Sequence, residues 1–188
     1  EVDGTRVAVN WSSEGVSDPF FSPDGRWIGY RSMGELRKVR IGGGGPEAVV
    51  PAPGLFAGAS WGSDDTIVAG TPNRGLVKVS AGDGEFTPLT RLAGDQGERN
   101  HRWPHFLPDG KSVLFTIGTS GEPFIGVASL ETGEHRRLFA GWSPSYVEGG
   151  YLMYAQLDDL MIVPFDLGSL SAIGTPQVAQ EGVLSVQW

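Results

Sequence analysis

The chain has 188 residues, no cysteine and a formal net charge of −8, which excludes a disulfide framework and thiolate chemistry. Its 29 glycines and 13 prolines accompany a hydrophobic content of 39%, which is too apolar for disorder and fits many short strands joined by turns. The acidic balance and the lack of a long basic cluster argue against nucleic-acid binding. No apolar run is long enough to predict a membrane span.

The first clear element in chain order is a tight turn between two strands, within residues 18–30. Pro23 fixes φ at the first central position of the turn, and Asp24 can hydrogen-bond to its own backbone. Gly25 supplies the positive φ that such a turn needs. Trp27 and the apolar residues after it favour a strand, so this stretch predicts a hairpin.

The same turn recurs down the chain with an aromatic residue three positions before its acidic or glycine residue. The aligned residues are spaced by 40, 45 and 40 residues, at Asp24, Asp64, Asp109 and Gly149. Each copy is followed by three further predicted strands, and four antiparallel strands per period of about 40 to 45 residues are typical of a β-propeller blade. The sequence therefore predicts an all-β propeller with blades at about 17–51, 56–90, 103–140 and 143–180. The recurring aromatic residues are predicted to lie in the core between blades, at Phe21, Trp61, Phe106 and Tyr146.

The two ends of the chain fit the same frame. Residues 1–11 are placed as the outer strand of a preceding blade, and residues 183–188 as the inner strand of a following one. Residues 175–179 are predicted as the outer strand of the fourth blade. Residues 1–188 thus predict one propeller, part of a larger ring, with about four full blades and a partial blade at each end. In the isolated chain the open edge strands could instead close a compact ring or pair with a second chain.

These repeats resemble those of TolB-like, WD-type β-propellers, in which a Phe-Ser-Pro-Asp-Gly turn like 21–25 precedes a strand like 26–30. Residues 58–68, 101–110 and 163–167 are most similar to the propeller regions attached to bacterial serine/threonine protein kinases. Similar propellers also form the gate of prolyl-oligopeptidase-type hydrolases. The resemblance implies a bacterial, non-catalytic sensor or interaction module, located in the periplasm or outside the cell. It implies a protein or peptide partner on the channel or loop face.

No residue set predicts catalysis. The Gly42–Gly45 run joins two predicted strands rather than opening a helix, which is unlike a phosphate-binding loop. Ser143 lacks the second glycine of a nucleophile elbow. No cofactor is expected, apart from an incidental channel cation such as Ca²⁺. The alternatives that stay open are a peptidase gate without its catalytic domain and a metal-dependent propeller lactonase.

The strongest candidate for binding is a polar and aromatic patch in the longest connection between blades, residues 89–103. Arginine and tryptophan are favoured in binding hot spots, although they could equally brace neighbouring blades. His101 and His105 lie four apart, but no third ligand is indicated, so a packed histidine is favoured over a metal site. The predicted binding residues are Arg99, His101, Arg102, Trp103 and His105.

Overall fold

The computed structural model describes residues 15–52, 56–82 and 84–183, in which seventeen strands form four antiparallel sheets. Each sheet takes its strands in chain order, as the blades of a propeller do. Blade 1 contains β1 (Ser17–Phe21), β2 (Trp27–Ser32), β3 (Glu35–Arg40) and β4 (Glu47–Pro51). Blade 2 contains β5 (Ala59–Trp61), β6 (Thr66–Ala69), β7 (Val77–Ser80) and β8 (Thr87–Pro88). Blade 3 contains β9 (Asn100–Phe106), β10 (Ser112–Gly118), β11 (Phe124–Ser129) and β12 (His135–Ala140). Blade 4 contains β13 (Trp142–Val147), β14 (Tyr151–Gln156), β15 (Asp159–Asp166), β16 (Ser171–Ala172) and β17 (Gln177–Gln180).

The turn after each inner strand has the local chemistry that the sequence predicts. In blade 1 the Asp24 carboxylate accepts the Arg26 amide at 3.0 Å, and Gly25 has a φ of +67°. The Ser22 hydroxyl donates to Asp24 at 2.6 Å, and this bond, followed by the Arg26 amide, lowers the pKa of that carboxyl. Asp65 takes the place of the glycine in blade 2 with a φ of +61°. Asp24 therefore shapes a turn, as predicted.

The core lies between the blades, and the inner strands β1, β5, β9 and β13 contact one another in chain order. Phe20 meets Trp61 edge-to-face between blades 1 and 2, with ring centroids 6.2 Å apart. Buried apolar side chains fill the next two junctions as well. Between blades 2 and 3 they include Val68, Leu76, Phe115 and Ile117. Between blades 3 and 4 they include Leu114, Ile125, Leu152 and Tyr154.

Phe21 is not a core residue, in contrast to the prediction. Its side chain is 65% exposed, whereas that of Phe20 is 8% exposed. Successive side chains of a strand point to opposite faces, and Phe20 takes the face that blade 2 covers. The ring of Phe20 also occupies the space above Gly29 that a β-carbon would need. The other three aromatic residues do pack in the core, Trp61 buried and Phe106 and Tyr146 half-buried against it.

A long cationic side chain in each of the first three blades reaches a backbone carbonyl of the next blade. Lys38 Nζ donates to the Ala81 carbonyl and Lys78 Nζ to the Leu130 carbonyl, each at 3.0 Å. Arg136 of blade 3 makes the same kind of contact with blade 4, where its Nη2 donates to the Leu170 carbonyl at 2.8 Å. The acceptors all lie in the turn that follows the third strand, so these contacts fix the spacing of adjacent blades.

The outer edge of blade 4 consists of two short strands, β16 and β17, whereas the sequence predicted a single strand at 175–179. β16 pairs with Phe165 and Asp166, and β17 pairs with β15 between Leu160 and Ile162. Gly174 lies in the interruption, against the ring of Pro164, a residue that has no amide proton to donate to a neighbouring strand. The strand therefore leaves and rejoins the sheet around this proline.

The predicted strand at 1–11 lies outside the described residues, as do residues 184–188 of the predicted strand at 183–188. The partial blades at both ends and the size of the complete ring thus stay predictions. In the described ranges no helix is long and apolar enough to cross a membrane.

Candidate functional site at the start of blade 3

The connection between β8 and β9 is folded rather than extended. It contains a 3₁₀ turn at Gly94–Gln96, and Gly97 has a φ of +77° as the chain reverses. β9 begins at Asn100, three residues before the predicted start of blade 3 at 103. Four of the five predicted binding residues therefore lie on the inner strand of blade 3. Only Arg99, which is exposed, remains in the connection.

His101 is completely buried at the junction of blades 2 and 3. Its amide donates to the Arg74 carbonyl of blade 2 at 2.9 Å, and its ring packs on Phe115 at a centroid distance of 4.6 Å. Its Nδ1 lies 2.7 Å from Thr90 Oγ1, and its Nε2 lies 3.0 Å from Glu98 Oε2. Burial lowers the pKa of His101 to about 4, so the ring is neutral at pH 7.

Glu98 is a buried carboxylate on which several donors converge. Its Oε2 accepts the Ala93 amide at 2.9 Å and lies 3.1 Å from Nε2 of His135. Its Oε1 faces Nη2 of Arg137 at 3.5 Å. Burial alone would raise the pKa of Glu98, but the Ala93 amide and the two imidazoles together hold it below its usual value. Glu98 is therefore charged at neutral pH and fastens the connection onto blade 3.

Thr90, His101 and Glu98 form a hydroxyl–imidazole–carboxylate chain, but it is not built for nucleophilic catalysis. The exposed fractions of the three residues are 4%, 0% and 6%, so a substrate has no access to the hydroxyl. The hydroxyl oxygen also accepts the Leu76 amide at 2.8 Å. This chain of contacts holds blades 2 and 3 together.

Arg102, Trp103 and Trp142 form a half-buried surface on the inner strands of blades 3 and 4, which we call the tryptophan surface. The Trp103 and Trp142 rings are 5.5 Å apart, and the Arg102 guanidinium lies 5.3 Å from the Trp103 ring centre. Asn100 holds the arginine through a 2.6 Å bond from Arg102 Nε to its side-chain oxygen. The arrangement presents a cation and two aromatic rings side by side, with part of each side chain open to solvent.

Trp103 lies in a β-bulge. Arg102 pairs with Thr116 and His105 with Leu114, so β9 carries one extra residue opposite β10. The equivalent residue in all four blades, three before the turn aromatic, has a positive φ: Asp18 (+53°), Gly58 (+82°), Trp103 (+48°) and Ser143 (+52°). The positive φ is thus part of the repeat, with a register shift beside it in blades 1, 3 and 4, and the tryptophan side chain at this position distinguishes blade 3.

His105 does not join His101. It lies on the other side of the bulge, where burial lowers its pKa and a hydrogen bond to the Tyr146 backbone of blade 4 opposes that effect. His101 lies instead beside Glu98 and His135, so the group of potential metal ligands does not contain the His101–His105 pair that the sequence spacing suggested. His135 could not be found from its spacing, since it is 37 residues from Glu98 and meets it only through the folded connection. Trp142 was not among the predicted binding residues, because it lies just before the predicted start of blade 4 at 143.

Solved structures show the same fold. The chain matches a TolB structure from Agrobacterium tumefaciens over 86% of its length and 62% of that chain, with a TM-score of 0.65 and 20% identity. It matches TolB from Acinetobacter baumannii over 89% of its length and 44% of that chain, with a TM-score of 0.69 and 16% identity. The chain folds as a TolB-like β-propeller.

A puromycin-hydrolysing peptidase from Mycobacterium tuberculosis is also similar, at 18% identity and a TM-score of 0.65. The match covers 89% of this chain and 32% of the peptidase. Enzymes thus occur among the structures that share this propeller fold. The chain spans less than two thirds of the length of each of these three proteins. No protein-family model and no curated protein matches the sequence.

Proposed function

We propose that this propeller is a non-catalytic interaction module of a larger TolB-like protein, and that the tryptophan surface and the neighbouring Arg99 bind a protein or peptide partner. The observation that carries the proposal is the grouping of Arg102, Trp103 and Trp142 where two inner strands meet, half-buried and partly open to solvent. Tryptophan supplies a large and rigid contact area, and both tryptophan and arginine are enriched among the residues that dominate binding energies.

The charges at the tryptophan surface indicate the chemical class of its partner. The chain carries a net charge of −8, yet Arg102 places a cation beside the Trp103 ring, and the exposed Arg99 lies three residues earlier in the chain. A peptide with an aromatic or aliphatic side chain next to a carboxylate fits such a surface, since the guanidinium groups can pair with the carboxylate while the rings cover the apolar group. We infer an acidic–apolar segment of a protein as the ligand class.

Selection from a random peptide library tests the proposal. Peptides enriched on the wild-type protein should be synthesised and titrated by isothermal calorimetry against Arg102→Ala and Trp142→Ala. We expect binding to weaken by at least tenfold in each variant, because a hot-spot truncation costs roughly 2 kcal/mol or more. Arg26→Ala, which changes an exposed arginine in the turn of blade 1, is the matched control and should bind as the wild type does.

Two results would refute the proposal. One is that no peptide is enriched over a double variant of Arg102 and Trp142. The other is that both single variants lower the unfolding midpoint while binding every selected peptide unchanged, in which case the tryptophan surface braces blades 3 and 4. The extracytoplasmic location, the attachment to a kinase and self-association through edge strands remain predictions from the resemblance and the strand pattern.

A gating propeller of a prolyl-oligopeptidase-type hydrolase is the second candidate, favoured by the similarity to the mycobacterial peptidase. In this chain Ser143 belongs to strand β13 and donates its amide to Thr116 Oγ1 at 2.8 Å, so it is not on a strand-to-helix elbow. The full-length gene distinguishes the two candidates. A hydrolase domain encoded beside this segment would support the gate, and its absence would remove that candidate.

A further inference from the structure

Three potential metal ligands converge beneath the connection that joins blades 2 and 3. The side-chain ligand atoms of Glu98, His101 and His135 all lie within 4.8 Å of one another. Oε2 of Glu98 is 3.0 Å from Nε2 of His101 and 3.1 Å from Nε2 of His135. In a tetrahedral zinc site with bonds of about 2.0–2.2 Å, neighbouring ligand atoms are roughly 3.3 Å apart. To bind an ion, the carboxylate oxygen and the two imidazole nitrogens, which lie within 4.8 Å of one another, would have to adjust to that common spacing.

Metal binding requires a neutral imidazole that offers a bare ring nitrogen to the ion. To bind the ion, His101 must carry its proton on Nδ1 instead of Nε2. Thr90 Oγ1 lies 2.7 Å from Nδ1, and it can accept that proton in a hydrogen bond because only one of its two lone pairs is used by the Leu76 amide.

The groups around the ligands would hold them in place. The Ala93 amide contacts the ligating oxygen of Glu98, and the Arg137 guanidinium faces the other oxygen. Arg137 is in turn anchored by a 2.8 Å bond from its Nη2 to the Gln96 carbonyl. Such outer contacts fix ligand orientation in metal sites and contribute to affinity. The carboxylate is therefore positioned by the connection itself rather than by the ion.

The site is closed on one side and reachable on the other. The side chains of His101 and Glu98 are 0% and 1% exposed, whereas that of His135 is 12% exposed. His135 lies on β12, the outer strand of blade 3, and is the most exposed of the three potential ligands. Three protein ligands leave one tetrahedral position for water.

We propose that Glu98, His101 and His135 bind one divalent transition-metal ion, for which Zn²⁺ is the best match, and that the ion clamps the connection at the blade 2–blade 3 junction. Two imidazoles and one carboxylate form a donor set used for zinc and favour it over Ca²⁺ or Mg²⁺, which prefer oxygen ligands. Because the site is buried, the ion would stabilise the junction rather than meet a substrate. The proposal does not depend on what the tryptophan surface binds.

Calorimetric titration of tag-free, chelator-treated protein with ZnCl₂ at neutral pH tests the site. We expect one ion per chain with micromolar or tighter affinity, and a higher unfolding midpoint when zinc is present. His135→Asn should weaken binding at least tenfold and abolish the shift in midpoint. Because His135 is the most exposed ligand, its replacement should disturb folding least. His105→Asn is the matched control and should bind zinc as the wild type does, since its ring lies against blade 4.

A second variant and a spectrum separate a metal site from a hydrogen-bond network that needs no metal. Glu98→Gln keeps the shape of the side chain but removes its charge, and it should also weaken binding at least tenfold. Substitution with Co²⁺ should give the visible absorption of a tetrahedral site in the wild type and not in His135→Asn. Failure to bind zinc at one ion per chain would overturn the proposal. Equal zinc affinity in the wild type and His135→Asn would overturn it as well, because the ion would then lie elsewhere on the surface.

Discussion

Lys78 offers a direct test of how the blades are held together. Its ammonium group crosses from blade 2 to blade 3 and donates to the Leu130 carbonyl at 3.0 Å. Lys78→Met keeps most of the apolar stem and removes only the charged donor. The substitution therefore measures the contact between the blades rather than the packing of the side chain.

The magnitude follows from the burial of the two partners. A hydrogen bond that involves a charged group contributes about 1.5–3 kcal/mol when it is well shielded. Lys78 and Leu130 are both half-buried, so water can partly replace the lost donor. We expect the free energy of unfolding to fall by about 1–2 kcal/mol, which lowers the midpoint of thermal unfolding by roughly 2–8 °C in a chain of this size.

Urea unfolding followed by tryptophan fluorescence measures the loss. Lys111→Met is the matched control, because the side chain of Lys111 is exposed, and it should change the unfolding free energy by less than about 0.5 kcal/mol. Arg136→Met should fall between the two, since that arginine makes the equivalent contact from an exposed position. If Lys78→Met behaves like Lys111→Met, the cation-to-carbonyl contacts do not stabilise the junctions.

Substitutions at three further positions, with two control substitutions, test other features. Gly75→Ala would drive a β-carbon into the Thr90 carbonyl and should cost about 1–3 kcal/mol in urea unfolding, whereas Gly94→Ala, which faces open space, should be nearly neutral. Asp109→Ala removes the oxygen that accepts two turn amides and should cost about 1 kcal/mol, most of which Asp109→Asn should restore. The pKa of His105 is lowered on folding, so the unfolded chain binds more protons and stability falls as pH drops below about 6.5. The loss between pH 7 and pH 5 should be smaller in His105→Asn, and an equal loss would contradict this assignment.

The repeat could be predicted from the sequence because its signals are local. The turns at Asp24 and Asp109 depend on residues within a few positions, and they form as expected. The face that each side chain takes is harder to predict where apolar residues are adjacent. Phe20 and Phe21 fit the interior equally well by composition, and only the position of blade 2 decides that Phe20 is buried.

The candidate site was less predictable because it depends on contacts between distant residues. His101 and His105 are close in sequence and were therefore considered as a pair. The bulge at Trp103 lies between them, and His101 packs between blades 2 and 3 whereas His105 contacts blade 4. His101 instead meets His135, with ring centroids 4.7 Å apart. No short-range pattern predicts that contact, because it joins β9 and β12, which are distant in the chain.

The four repeats also indicate where function should be sought. Features present in every blade, such as the positive φ three residues before the turn aromatic, are explained by the architecture. Features that interrupt the repeat need another explanation, and two of them coincide at the start of blade 3. The spacing from Asp64 to Asp109 is 45 residues against 40 elsewhere, and the longer connection brings Glu98 to His101. At the bulge itself blade 3 presents a tryptophan where the other blades have an aspartate, a glycine and a serine. Residues 98–103 thus contribute Glu98 and His101 to a buried cluster with metal-type ligands, and Arg102 and Trp103 to an open aromatic surface.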